Sequence, residues 1–208
     1  MTDAEIVAAV KAGTLDEAIL DQRVSEVLTL VAATAPGKTD APAVDFAAQH
    51  ALAVEVARQS IVLLKNRDRV LPLGTKSGRV AVIGDFAKTP RYQGAGSSLV
   101  NPTEVVSFLD AAAGNDLNII GYEPGFRRLG QRSTKLHRAA LDLASRADTV
   151  LLFLGLDEAA EAEGSDRTHM RLANNQLELV RDLLRRNTNI VLVLCGGSPV
   201  ELPFAGAM

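Results

Sequence analysis

Five carboxylates fall within the ten positions from Asp157 to Asp166, in the run Asp157-Glu158-Ala159-Ala160-Glu161-Ala162-Glu163-Gly164-Ser165-Asp166-Arg167. A carboxyl packed in a loop among other carboxylates can have its proton affinity raised and act as a general acid. A glutamate in such a run could protonate a leaving oxygen. Gly164 and Ser165 interrupt the charge and imply a tight backbone path. Asp166-Arg167 then supplies an adjacent ion pair, able to hold the loop or to grip polar hydroxyls through the guanidinium fork. Read as charge alone, the same run is a solvated acidic loop.

A second candidate is Arg91-Tyr92-Gln93-Gly94-Ala95-Gly96-Ser97-Ser98-Leu99-Val100-Asn101-Pro102. Its Gly-x-Gly-x-x-Leu spacing lacks the third glycine of a dinucleotide fingerprint, and no Lys-Ser/Thr pair follows as in a phosphate-binding P-loop. A compact loop presenting the Ser97 and Ser98 hydroxyls suits sugar recognition at least as well. His50, His137 and His169 are far apart in sequence, so the spacing implies neither a metal site nor a cofactor. His50 and His137 read as helix residues, while His169 lies beside the acidic loop. Cys195 closes an apolar run and reads as packing. Without a Gly-x-Ser-x-Gly elbow, Ser-His-Asp catalysis has no support.

The elements that must position these residues alternate between strand and helix. Val80–Gly84, Leu117–Gly121, Thr149–Leu156 and Asn189–Leu194 read as strands, the first and third as continuous apolar runs covered on both faces. Helices are predicted over Thr103–Gly114, around Leu136–Ala147 and around Leu177–Leu184, with Arg185 and Arg186 at the negative end of the last. Such alternation predicts an α/β fold: a three-layer αβα sandwich on a mostly parallel sheet, preceded by helices. Ligands of such sheets meet the loops at the carboxyl ends of the strands. Those loops are 85–102, 157–171 and 196–203, which hold both candidate runs.

Upstream, Ile6, Val7 and Val10 mark a short helix stopped by Gly13, and Thr14-Leu15-Asp16-Glu17 reads as a capping box. Ile19, Leu20, Val24, Val27, Leu28 and Val31 follow at helical spacing, a stripe that needs a partner surface. Residues 33–44 read as a linker. Helical periodicity then runs from Val44 through Val56 into Ser60-Ile61-Val62-Leu63-Leu64-Lys65-Asn66, before Leu71-Pro72-Leu73 breaks it.

The composition is that of a globular chain: 208 residues, 47% hydrophobic and 23% charged. A formal net charge of −3 provides no field for nucleic acid or an anionic membrane. No apolar run approaches a membrane span. Met1-Thr2-Asp3-Ala4-Glu5 does not resemble a signal peptide, so a cytoplasmic location is expected if residue 1 is the natural start.

Glu161-Ala162-Glu163-Gly164-Ser165-Asp166-Arg167-Thr168-His169-Met170-Arg171-Leu172 resembles the acid/base loop of glycoside hydrolase family 3, the β-glucosidase-like enzymes. Three further segments match that family in order: Ser60–Asn66 with Leu71-Pro72-Leu73, the strand ending Ile83-Gly84, and Gly94-Ala95-Gly96-Ser97-Ser98 with Val100 and Pro102. The resemblance covers about residues 45–203. It implies the family's second, flavodoxin-like α/β-sandwich domain over 45–208, C-terminally incomplete. Residues 1–32 would then be a helical remnant of the preceding (β/α)8 barrel and 33–44 the linker. The implied activity is retaining hydrolysis of β-glycosides, with Glu163 as acid/base and Glu161 as its rival. Gly96, Ser97, Ser98, Asp166, Arg167 and His169 would face the sugar. The implied partners are a carbohydrate substrate and the barrel, which carries the nucleophilic aspartate in a Ser-Asp-Trp motif. This chain has no tryptophan, and its Ser165-Asp166 is followed by arginine. The chain is therefore expected to lack activity alone, and its exposed N-terminal helix to pack on the α/β body or on another copy. The alternative is a non-catalytic sugar-binding or regulatory domain on the same sheet.

Overall fold

The computed structural model describes residues 2–35, 43–187 and 189–207. Its contacts divide the chain into two compact units, Met1–Val54 and Glu55–Met208.

The first unit begins with α1 (Asp3–Lys11) and α2 (Glu17–Thr34). Thr2 caps α1: its hydroxyl accepts the Glu5 N–H while the Glu5 carboxylate accepts the Thr2 N–H at 2.6 Å. The capping box expected at Thr14–Glu17 does not form. Gly13 takes a left-handed turn, which carries Thr14 back onto α1, where its hydroxyl donates to Ala9 O at 3.1 Å. Asp16 caps α2 instead, accepting the Ala18 N–H at 2.9 Å. Of the predicted stripe, Ile19, Val24, Val27, Leu28 and Val31 are exposed, while Leu20 is half-buried. The linker expected at 33–44 falls largely on 36–42, outside the described residues, and α2 itself continues to Thr34. A third helix, α3 (Phe46–Ser60), begins in this unit. Its periodicity stops at Ser60: residues 61–66 are not helical, and Ile61, Val62, Leu63 and Leu64 are exposed.

The second unit is a four-stranded, wholly parallel sheet in the order β2 (Ile119–Glu123), β1 (Val80–Ile83), β3 (Thr149–Gly155), β4 (Ile190–Cys195). Every residue of β1 and β3 is buried, as their unbroken apolar sequences predict. The second strand starts two residues later than its sequence suggests. The apolar signal fades at Gly121, but Tyr122 and Glu123 still pair with Val82 and Ile83.

Helices α4 (Phe108–Ala112), α5 (Thr134–Ala144) and α6 (Asn174–Leu184) cover both faces. A Cβ placed on Gly125 would touch Leu179 of α6, Ile83 of β1 and Ala140 of α5, so α5 and α6 lie on the Ile83 face. Register puts Leu152 on that face and Phe153 on the other, where its ring packs 4.9 Å from Phe108 of α4. On the α5/α6 side, His137 meets Asp182 at 3.1 Å. The short α4 begins later than the predicted Thr103, because Ser107 and Asp110 form a capping box there.

One buried polar contact ties helix to sheet. The Gln176 side chain, fully buried on α6, accepts the Gly155 N–H at 3.0 Å and donates to Gly155 O at 2.8 Å. A Cβ on Gly155 would lie 2.0 Å from Cys195 O, so β3 and β4 close up where the strands end. Truncating Gln176 to Ala strands both main-chain groups and leaves a cavity. Urea denaturation of Gln176→Ala should show a loss of about 2–5 kcal/mol.

At the opposite end of the sheet the Asp148 carboxylate accepts from the Arg79 guanidinium at 2.9 and 3.1 Å and from the Arg79 N–H at 2.7 Å. These bonds, the side-chain one foremost, hold the Asp148 carboxyl at about 2. Because the folded value lies below the unfolded one, the contribution is fully present above about pH 4 and vanishes as pH falls through 2. An NMR titration should place the Asp148 midpoint near 2, and Asp148→Asn should flatten the acid side of the stability curve over that window.

Candidate functional site

Parallel pairing sends the chain out of β1, β3 and β4 at the same edge of the sheet, and the three loops that emerge meet there. The loop after β1 holds the glycine-rich run. Gln93 shapes it: its amide donates to Val100 O at 3.0 Å and accepts the Val100 N–H at 2.9 Å, which closes residues 93–100 into one turn. The loop after β3 holds the acidic run. The two join through a main-chain bridge between Ala95 and Ala162, with the Glu163 N–H donating to Ala95 O at 3.3 Å.

This bridge sets Glu163 against Gly96 and Ser97. Gly96 has φ +94°, and a Cβ there would lie 3.1 Å from Glu163 Cβ, so glycine meets both the backbone and the packing requirement. The Ser97 hydroxyl donates to Glu163 Oε2, and Glu163 is otherwise exposed.

Glu161 is placed differently. Its side chain is only 12% exposed and forms an ion pair with Arg91, which is 7% exposed. The Gly197 N–H donates to Glu161 Oε2 at 3.0 Å, and the Ser198 hydroxyl donates to Oε1. Both oxygens of Glu161 are thus occupied by donors from the loops after β1 and β4.

Glu161 and Glu163 line one open cleft of about 940 Å³ with Ser97, Ser98, Asp166, Arg167 and Ser198. Arg167 does not pair with Asp166 as the sequence suggested. Its guanidinium reaches across to Ser198 Oγ and Pro199 O, both at 2.8 Å, because the loop after β4 presents these acceptors within its span. Asp166 remains exposed on the cleft wall. His169 lies outside the lining, with its Nδ1 accepting the Arg171 N–H at 3.3 Å within a local turn. Of the sequence candidates, the structure therefore gathers Glu161, Glu163, Gly96, Ser97, Ser98, Asp166 and Arg167, and leaves His169 apart.

Arg128, in the loop after β2, was not a candidate. It donates to Asp85 Oδ2 at 2.7 Å, to Glu158 Oε1 at 2.6 Å and to Thr89 O, and its guanidinium lies 4.4 Å from the Phe86 ring centroid. One arginine thus fastens the starts of the loops after β1 and β3. Its only sequence signal is the pair Arg127-Arg128 after a strand, which does not name partners 43 and 30 residues away. Two other titratable groups near this edge are poor proton shuttles. Burial and the Asp85 charge push Tyr122 up to about 12. Burial also pushes the Cys195 thiol up, against the pull of Arg128 and Arg91, in keeping with packing rather than nucleophilic chemistry. Among the described residues, no group of three or more His, Cys, Asp and Glu could hold a metal ion. No described helix is long and apolar enough to cross a membrane.

Residues 61–207 match the family profile described as the glycosyl hydrolase family 3 C-terminal domain. The chain belongs to glycoside hydrolase family 3. Thermostable beta-glucosidase B of Acetivibrio thermocellus is 41% identical over 98% of this chain. An exo-alpha-(1->6)-L-arabinopyranosidase of Bifidobacterium breve is 40% identical over 97%. The crystal structure of a Bifidobacterium adolescentis family 3 beta-glucosidase superposes with a TM-score of 0.81, 40% identity and 99% coverage of this chain. At 20% identity, DesR, a beta-glucosidase from Streptomyces venezuelae, shares the fold with a TM-score of 0.80. The chain spans 27% and 28% of the length of the first two relatives and 30% of the B. adolescentis structure.

Arg128→Met keeps much of the side-chain length and removes every charged bond. Because Asp85 and Glu158 retain solvent, urea denaturation should show a loss of about 2–3 kcal/mol, less than the roughly 3–5 of a fully buried pair.

Proposed function

We propose that this chain supplies the acid/base carboxyl, Glu163, of a retaining β-glycosidase whose nucleophilic carboxylate stands on a (β/α)8 barrel. One observation carries the choice: Glu163 is the exposed carboxyl beside the glycine-rich loop, with Ser97 on Oε2, whereas both oxygens of Glu161 are engaged. Family membership and the share of the relatives that the chain spans support the rest. In this reading residues 1–32 derive from the barrel, 33–44 form the linker, and 45–208 form the acid/base domain.

The chemistry follows from where the proton can sit. With Ser97 on Oε2, Oε1 carries the acid proton and delivers it to the glycosidic oxygen as the C–O bond breaks. Charge then develops on the sugar ring, and the barrel aspartate captures the anomeric carbon as a glycosyl ester. Glu163, now ionised, takes a proton from water as that water attacks the anomeric carbon. The aspartate leaves, and both carboxyls return to their starting states. This double displacement needs the two carboxyls about 5–5.5 Å apart, so the cleft at the loop edge must face the barrel site. Ser97, Ser98 and Asp166 offer the hydroxyl and carboxylate groups suited to sugar hydroxyls. Arg167 serves them by holding the loop after β4.

The test replaces the matching segment of thermostable beta-glucosidase B with this one. Glu163→Gln should lower kcat/KM for an alkyl β-glucoside by about 10²–10⁴-fold. It should leave the first step with a dinitrophenyl β-glucoside nearly intact, because that phenolate departs without a proton. The 208-residue chain alone should turn over neither. Equal losses on both substrates, or full activity in Glu163→Gln, would reject the assignment. A chain that binds gluconolactone while its Glu163 carries no catalytic burden in the hybrid would favour the sugar-binding alternative.

A further inference from the structure

Glu161 lies two residues from the proposed proton donor, yet its carboxylate points into protein. Two kinds of group meet it there. Arg91, deeply buried in the loop after β1, supplies a guanidinium, while Gly197 and Ser198, in the loop after β4, supply a backbone N–H and a hydroxyl. Ser198 is shared, because Arg167 donates to its oxygen at 2.8 Å from the far end of the acidic run. The result is a chain of contacts, Arg91–Glu161–Ser198–Arg167, that crosses the acidic loop twice and both its neighbours once. Between the two crossings lie Ala162, bridged to Ala95, and Glu163.

We infer that Glu161 is a positioning residue, whose carboxylate draws three loops together and thereby sets the place of Glu163 beside Ser97. A buried carboxylate with an ionic partner and two further donors holds one geometry, since rotating it would leave the Arg91 charge unpaired in low dielectric. The segment 162–165 is short, so fixing residue 161 on one side and Arg167 on the other restricts where Glu163 can point. The Gly94–Ser98 turn is held by the same contacts, because Arg91 lies just before it in the same loop and the Ala95 bridge lies within it. Ser198 is the weak member: it is exposed, and its one hydroxyl joins the two halves of the chain.

The catalytic meaning of this arrangement rests on the Glu163 reading, but its test does not use turnover. In the 208-residue chain, amide hydrogen exchange is followed at Glu163, whose N–H bonds Ala95 O, and at Leu152 in the core. The nuclear Overhauser contact between the Ser97 and Glu163 methylene protons is followed with it. Ser198→Ala and Glu161→Gln should each speed exchange at Glu163 by at least about tenfold and weaken the contact by half or more, with Leu152 unchanged. Ser198→Thr keeps the hydroxyl and should restore both. If Glu161→Gln fails to fold, the Ser198 pair decides. Unchanged exchange at Glu163, equal acceleration at Leu152, or a Ser198→Thr variant no better than Ser198→Ala would overturn the inference. Loosened loops in a segment whose hybrid enzyme ignores Glu163→Gln would retain Glu161 as the positioning residue and discard the acid/base reading.

Discussion

The cleft depends on the in-register parallel pairing of β1, β3 and β4. Each rung is an ordinary backbone contact, but together they deliver three chain exits to one edge within side-chain reach of each other. The central strands pair well because nothing in them needs water: Val80 to Ile83 and Thr149 to Gly155 are buried throughout. Gly155 permits the closest approach at the exit, and Gln176 satisfies the groups left there. A polar side chain in a dry core is tolerated only when its bonds are complete, and this one completes two.

Above that edge the controlling force changes from apolar burial to charge. Arg91 and Arg128 are both largely buried, and each finds carboxylates that arrive from a different strand exit. Desolvating such groups is costly unless their charge is paired, as the Glu161 carboxylate pairs Arg91, although the buried Arg91 Nε has no partner. Arg128 uses Nε and both terminal nitrogens, and adds the face of Phe86. These arginines turn flexible connections into a fixed wall. Acidic residues that look like one solvated run therefore divide into different tasks: Glu158 and Glu161 are consumed in holding structure, while Glu163 faces the cleft.

The sequence resolves this division only in part. Continuous apolar runs reveal β1 and β3 because both faces of these strands are covered. The edge strand β2 is misjudged by two residues, because Gly121 interrupts the pattern before Tyr122 and Glu123 finish the pairing. Local capping rules mislead at Thr14, where the left-handed turn of Gly13 reverses which helix the hydroxyl serves. The glutamates and the glycine-rich loop are visible as local composition. Their holders are not: Arg91 reaches Glu161 across 70 residues, and Ser198 reaches it across 37. Periodicity reports what a residue does for its own helix or strand. It carries no information on pairings that exist only once the sheet has gathered its ends.

The bridge between Ala95 and Ala162 joins two loops by main chain alone. Because neither alanine contributes a specific side chain, exchanging these two residues leaves the spacing of the two loops largely untouched. Adding or removing a single residue is another matter, since successive side chains in extended backbone alternate sides. One inserted position between Ala162 and Glu163 would turn the carboxyl away from Ser97. At the two bridging alanines, length matters more than chemical identity.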